Sequence, residues 1–162
     1  MKVVFLDIDG VLNSPAWVKD LGRDRGLGHL EPDACARVQR LCDQTGAKLV
    51  ISSTWRLIHK RAAIGDMFRA RGLTTTILGM TAALHTKRGH EIQAWLDASP
   101  GVAGLGTIDG VVILDDDLEM EHLAPWHVRT DVERGFTDED LRQAAEVLSR
   151  PVPGESISRL VR

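Results

Sequence analysis

Disulfides, membrane spans, metal-binding histidine pairs and a dominant charge are all missing from this chain. There are two cysteines in 162 residues. Cys35 and Cys42 lie in one helical pattern, about 10 Å apart along its axis, which is too far for a disulfide. They read as reduced core residues of a cytoplasmic protein. No apolar run approaches the length of a membrane span, and no basic segment precedes an apolar one in the manner of a secretion signal, so no membrane partner is expected. The net charge of -3 supplies no global attraction to nucleic acid, although it leaves room for a local basic patch. The six histidines show no H-x-x-x-H or H-x-x-E-H spacing, which argues against zinc. Internal repeats and low-complexity segments are also absent.

What is present is a regular alternation of strand and helix signals. Val3 to Leu6 form a continuous apolar run of the kind a parallel sheet buries on both faces. Residues 13–30 hold four glycines and prolines with mixed charge and read as an irregular flap. A helix starts near Glu31-Pro32, proline being favoured in a first turn. It carries Ala34, Cys35, Val38, Leu41 and Cys42 on one stripe and ends at Gly46. Lys48 to Ser52 is a second strand, and residues 58–71 a helix closed by Gly72. The β-branched run "LTTTIL" predicts a third strand. "RGHEIQAWLDAS" predicts an amphipathic helix, "GVVILDDD" a fourth strand and "PWHVRT" a short fifth. Thr137 with Asp140 makes a capping-box-like start to the last helix. The expected fold is therefore α/β: a Rossmann-like three-layer sandwich around a mostly parallel sheet of about five strands. Residues 1–150 would form one domain and 151–162 a C-terminal extension.

Ligands in such sheets bind at the carboxyl ends of the strands. Those ends supply Asp7 and Asp9 from the first strand, Ser52, Ser53 and Thr54 from the second, and Asp115, Asp116 and Asp117 from the fourth. Lys87 and Arg88 stand just before the helix leading to the fourth strand, where a cation opposes the helix dipole. Carboxylates at this density repel one another unless a hard cation sits among their oxygens. Mg²⁺, held by carboxylates, water and substrate phosphate, suits them best.

"FLDIDGVLNS", "VISSTWR", "KRGHEI" and "ILDDD", in that order, resemble the four motifs of the haloacid dehalogenase (HAD) superfamily. The wording "STWR", "RGHEIQAWL" and "HVRTDVERGFTDEDLRQA" resembles the small HAD phosphatase domains of Swiss Army Knife RNA-repair proteins, over residues 1 to about 148. The resemblance implies a Mg²⁺-dependent phosphatase working through an aspartyl-phosphate. In it Asp7 matches the nucleophile and Asp9 the general acid/base, whose backbone carbonyl also ligates the metal. Gly10 lets the chain turn beside the phosphate. Ser53 matches the phosphate-binding hydroxyl, with Ser52 close in register, and either Lys87 or Arg88 matches the phosphate-binding cation. Asp7, Asp9, Asp116 and Asp115 make up the implied metal set, and Asp117 reads either as a further ligand beside them or as the cap of a following turn. Arg56 reads equally as a structural ion pair or a second phosphate clamp, and Trp55 reads as core ahead of a base-stacking platform.

Neither the flap nor the segment between the second and third strands has room for a folded cap of about 50 residues. An open site admits large phosphorylated substrates, polynucleotide ends among them. Two other classes use similar parts. A receiver-like signalling module would carry its phosphorylated aspartate on a later strand, and a non-catalytic HAD-like module of a repair system would not require Asp7 and Asp9. The dehalogenases of the superfamily use no metal and leave the acids of the fourth strand without a role.

Overall fold

The computed structural model describes residues 1–20, 29–118 and 120–152. Five strands, β1 (Lys2–Leu6), β2 (Lys48–Ile51), β3 (Ile77–Met80), β4 (Gly110–Asp115) and β5 (His127–Arg129), form one all-parallel sheet in the order β3-β2-β1-β4-β5. Helices α1 (Pro15–Asp20), α2 (Pro32–Thr45), α3 (Arg61–Arg69), α4 (Arg88–Ala98) and α5 (Asp138–Val147) connect and cover them. Chain order reverses between β1 and β4, and that is where such a sheet opens a crevice at its carboxyl edge.

The near-continuous apolar strands are explained by burial on both faces. Val4, Leu6, Leu49, Ile51, Val112 and Leu114 pack toward α2, α3 and α5, while Val3, Phe5, Val50, Val111 and Ile113 pack toward α4. On α2 the expected stripe of Ala34, Cys35, Val38, Leu41 and Cys42 is buried, and Gly46 ends the helix in the left-handed conformation. The capping box of Thr137 and Asp140 opens α5.

Two boundaries differ from the sequence reading. The third strand begins at Ile77 rather than in the threonine run, because Gln39 Oε1 on α2 accepts the backbone N–H groups of Thr74 and Thr75 at 2.7 and 3.1 Å. Those threonines are thereby bound to a helix instead of a ladder. The helix expected over 58–71 is divided into a 3-10 turn at Thr54–Leu57 and α3 from Arg61.

Of the flap expected at 13–30, residues 15–20 form α1, opened by the Ser14 hydroxyl, which accepts from Trp17 N–H at 3.2 Å. Residues 21–28 lie outside the described residues. Among the described residues the sheet carries no large cap. At the far end, Trp126 Nε1 donates to the Pro151 carbonyl at 2.8 Å and Val152 packs on the α4-side core, while residues 153–162 lie outside the described residues. Among the described residues no helix is long and apolar enough to cross a membrane.

Candidate active site

Register puts the acids together. Leu6 of β1 pairs with Leu114 of β4, so the next residues, Asp7 and Asp115, fall side by side at the sheet edge, about one strand spacing apart. Asp7 N–H donates to the Leu114 carbonyl at 2.9 Å, which carries the ladder one step past the strand. Asp7, Asp115 and Asp116 each offer a carboxylate oxygen, all within 4.8 Å of one another. Asp115 is 1 % exposed and Asp7 6 %.

Burial is the chief reason both carboxyls are hard to ionise. It raises the Asp7 pKa, against the lowering effect of Arg88, the Ser53 hydroxyl and the Ile8 N–H, while Asp116 raises it further. It pushes Asp115 up to about 7, with the Asp7 charge adding to the rise and Arg88 opposing it. Asp115 Oδ1 accepts from Asp117 N–H at 3.0 Å, but the buried Oδ2 has no hydrogen-bond partner among the described residues. A crowded, oxygen-only set with an orphaned buried oxygen fits a small hard cation, the chemistry of Mg²⁺.

Gly10 makes this crowding sterically feasible. Its φ is +75°, and a Cβ there would lie 2.6 Å from Asp116 Cγ. Any side chain would therefore strain the turn and displace the acid. Thr130 pins the turn from β5: its hydroxyl donates to the Gly10 carbonyl at 2.8 Å and its N–H to the Asp115 carbonyl at 3.1 Å.

Asp9 stands apart from the trio and is exposed. Asn13 Nδ2 donates to its Oδ1 at 2.8 Å and Trp55 Nε1 to its Oδ2 at 2.9 Å. Trp55, read from sequence as a core residue, does touch the core but also delivers its indole N–H to this carboxylate. Nothing in the spacing of "STWR" reveals a contact 46 residues away. Asn13 and Thr130 were likewise invisible as site residues, because single polar residues in turns carry no pattern.

Of the two candidate hydroxyls, Ser53 reaches Asp7 and also caps the 3-10 turn, accepting from Trp55 N–H at 3.3 Å. Ser52 Oγ is buried with no partner among the described residues. The two cations diverge as well. Arg88 Nε lies 3.5 Å from Asp115 Oδ2, and its Nη1 is buried without a hydrogen-bond partner among the described residues, whereas Lys87 Nζ lies 2.6 Å from Glu121 Oε1. The N-terminal turn of α4 comes this close because residue 89 is glycine: a Cβ there would be 2.7 Å from the Met120 carbonyl oxygen.

Arg56 is committed to the framework. Its Nε donates to Thr81 O at 3.0 Å, its Nη1 to Ser52 O and Ser53 O at 3.0 and 2.7 Å, and its Nη2 to Glu91. Glu91 Oε1 accepts from Leu84 N–H at 2.9 Å. Asp117 is exposed and caps its own turn, accepting from Leu118 N–H at 2.7 Å.

A parallel sheet with paired carboxylates at its switch point, an arginine beside them and no large cap defines a small α/β domain of HAD type. A family model described as "HAD domain in Swiss Army Knife RNA repair proteins" matches residues 3–141, from β1 into α5, and the chain belongs to that family. No curated protein and no solved structure matches it.

Proposed function

We propose that the protein is a Mg²⁺-dependent phosphohydrolase that cleaves phosphate monoesters through an aspartyl-phosphate, with phosphorylated polynucleotide ends as its substrate class. One observation carries the conclusion: Asp7, Asp115 and Asp116 gather at the switch point of a HAD-family sheet, with Arg88 Nη1 buried and without a hydrogen-bond partner among the described residues.

Asp7, Asp115 and Asp116, with the Asp9 backbone carbonyl, would hold Mg²⁺, which when bound neutralises the carboxylates and the substrate phosphate. Asp7 Oδ1 is held by the Ile8 N–H at 2.8 Å, so its other oxygen is the one that attacks phosphorus. The P–O bond to the leaving group breaks as the acyl-phosphate bond forms. Asp9, oriented by Asn13 and Trp55, gives its proton to the leaving oxygen. It then takes one from the water that attacks phosphorus, which releases phosphate and restores Asp7. Ser53 and Arg88 bind the phosphoryl oxygens, and Gly10 leaves space for them beside Asp116.

The test is p-nitrophenyl phosphate turnover in Mg²⁺ by the wild type and Asp9→Asn. Nitrophenolate needs no proton, so the variant should give a burst from the first step and then stall as the acyl-phosphate accumulates. Absence of turnover in the wild type, or an unimpaired steady state in Asp7→Asn, would overturn the mechanism.

A further inference from the structure

Charge is segregated across this sheet. Residues 44–90, which hold β2, α3 and β3, contain eight lysines and arginines against the single acid Asp66. Residues 109–146, which hold β4, β5 and most of α5, contain twelve acids against three arginines. The overall -3 hides two large opposed charges. With the strand order β3-β2-β1-β4-β5, the boundary runs along β1 and through the acid centre.

Part of the basic half is engaged locally: Arg56 with Glu91, Arg88 with Asp115 and Lys87 with Glu121. Lys60, Arg61 and Arg69 lie further out and are exposed. Lys60 and Arg61 stand where α3 begins, at the carboxyl edge, and Arg69 lies two turns along, about 12 Å away. Arg61 Nη1 donates to the Leu78 carbonyl on β3 at 2.9 Å, and Arg69 pairs with Asp66 on the exposed helix face. Such surface pairs are weak and leave the cation able to meet another anion. A groove of about 440 Å³ runs between α3 and the outer strand, with Arg61, Gly65, Arg69, Thr74, Thr76 and Ile77 among its walls. The loops following β2 and β3 expose Leu57, Ile58 and Leu84, by 60, 78 and 46 %. Cations for a backbone beside apolar side chains for base and ribose faces are what a single strand requires, whatever its sequence.

We propose that the β2–β3 half is a track for a single-stranded polynucleotide whose terminal phosphate enters the acid centre. The strand passes Leu57 and Ile58, meets Lys60 and Arg61, and follows the α3–β3 groove to Arg69. The acidic β4–β5 half repels the same polyanion, so the strand has one way off the centre. The role of the terminal phosphate rests on the phosphatase reading; the track does not.

The test measures binding of short fluorescent single strands, phosphorylated at the 3' or 5' end, to Asp7→Asn, which leaves them uncleaved. Three backbone contacts predict a log–log salt slope of about -2. Adding Lys60→Glu, Arg61→Glu and Arg69→Glu together should weaken binding at least about 10-fold and flatten that slope. In the wild-type background the same three changes should leave p-nitrophenyl phosphate turnover unaltered. Arg134→Glu with Arg142→Glu, on the acidic half, should leave binding unchanged. Salt-insensitive binding, equal losses from both sets, or preference for an acidic phosphopeptide over the oligonucleotide would overturn the track. Oligonucleotide binding by a wild type that cannot turn over p-nitrophenyl phosphate would sink the phosphatase reading and leave the track standing.

Discussion

Arg56, in the 3-10 turn after β2, and Arg88, at the start of α4, each face a buried acid, and they differ in what their guanidinium groups are given to do. Arg56 and Glu91 have side chains 6 and 7 % exposed, and every nitrogen of Arg56 donates to an oxygen. Together they tie the end of β2, the segment after β3 and α4 into one piece. Arg88 and Asp115 are 13 and 1 % exposed, yet Nη1 of one and Oδ2 of the other find no hydrogen-bond partner among the described residues. A buried polar atom left unpaired costs roughly 1–3 kcal/mol, more when charged. The satisfied pair holds the framework, and the unsatisfied pair is the one to which the proposed function assigns metal and phosphate.

The largest effect should come from breaking the satisfied pair. Arg56→Met leaves Glu91 buried and uncompensated and should cost about 3–5 kcal/mol, lowering Tm by roughly 10 °C for a domain of this size. Thermal unfolding followed by circular dichroism checks this, and a melt like the wild type's would erase the distinction between the two arginines.

Arg88→Ala should lower kcat/KM for a phosphate monoester about 10²–10³-fold with a much smaller change in Tm. Lys87→Ala should stay within a few-fold of wild type. Steady-state kinetics on both variants tests the assignment, and a reversed order would move the phosphate-binding role to Lys87.

Metal should act on stability through the unsatisfied set alone. Mg²⁺ at about 100 times its Kd should stabilise the EDTA-treated protein by about 2.7 kcal/mol, or roughly 5–10 °C in Tm. Asp115→Asn relieves the repulsion of Asp7, so it should melt above the wild type in EDTA and respond little to Mg²⁺. Scanning calorimetry with and without the ion decides this.

The smallest effect concerns burial of groups that stay neutral. Burial pushes the Cys35 thiol up to about 12 and the Cys42 thiol up to about 11. At pH 8 their alkylation should run at least about 100-fold slower in the folded protein than in the unfolded chain, since the thiolate is the reactive form. Both folded pKa values lie above the ordinary thiol value. Their contribution to stability is therefore complete below about pH 9 and declines as pH rises toward 11 to 12. Labelling time courses and urea melts at pH 8 and pH 10 follow these two consequences.

Much of the fold was legible because its signals are local. The apolar runs of β1, β2 and β4, the stripe on α2 and the Thr137 cap each lie within a few consecutive residues. The threonine run misled for a tertiary reason: Thr74 and Thr75 have strand-like side chains, but Gln39, 35 and 36 residues away, takes their N–H groups. Trp55 does pack against the core, as its residue type suggests, but a second contact lay out of local view. Its size and half-burial suit a core residue, and only the approach of the β1 loop gives its indole N–H an acceptor in Asp9.

By itself the sequence determined that the sheet would be parallel, that acids would stand at the carboxyl ends of its first and fourth strands, and that hydroxyls and cations would lie on the loops between. Burial periodicity and strand-end position depend on near neighbours in the chain. Tertiary structure decided which member of each adjacent pair faces the acids: Ser53 beside Asp7, Arg88 beside Asp115, and Asp116 rather than Asp117 in the trio. The basic block 44–90 and the acidic block 109–146 are already contiguous in the chain, and the strand order only sets them on opposite sides of β1. Adjacent residues differ by a turn of the backbone, and that turn is set by contacts between distant segments, such as Gly89 against Met120 and Thr130 against Gly10, which no local pattern encodes.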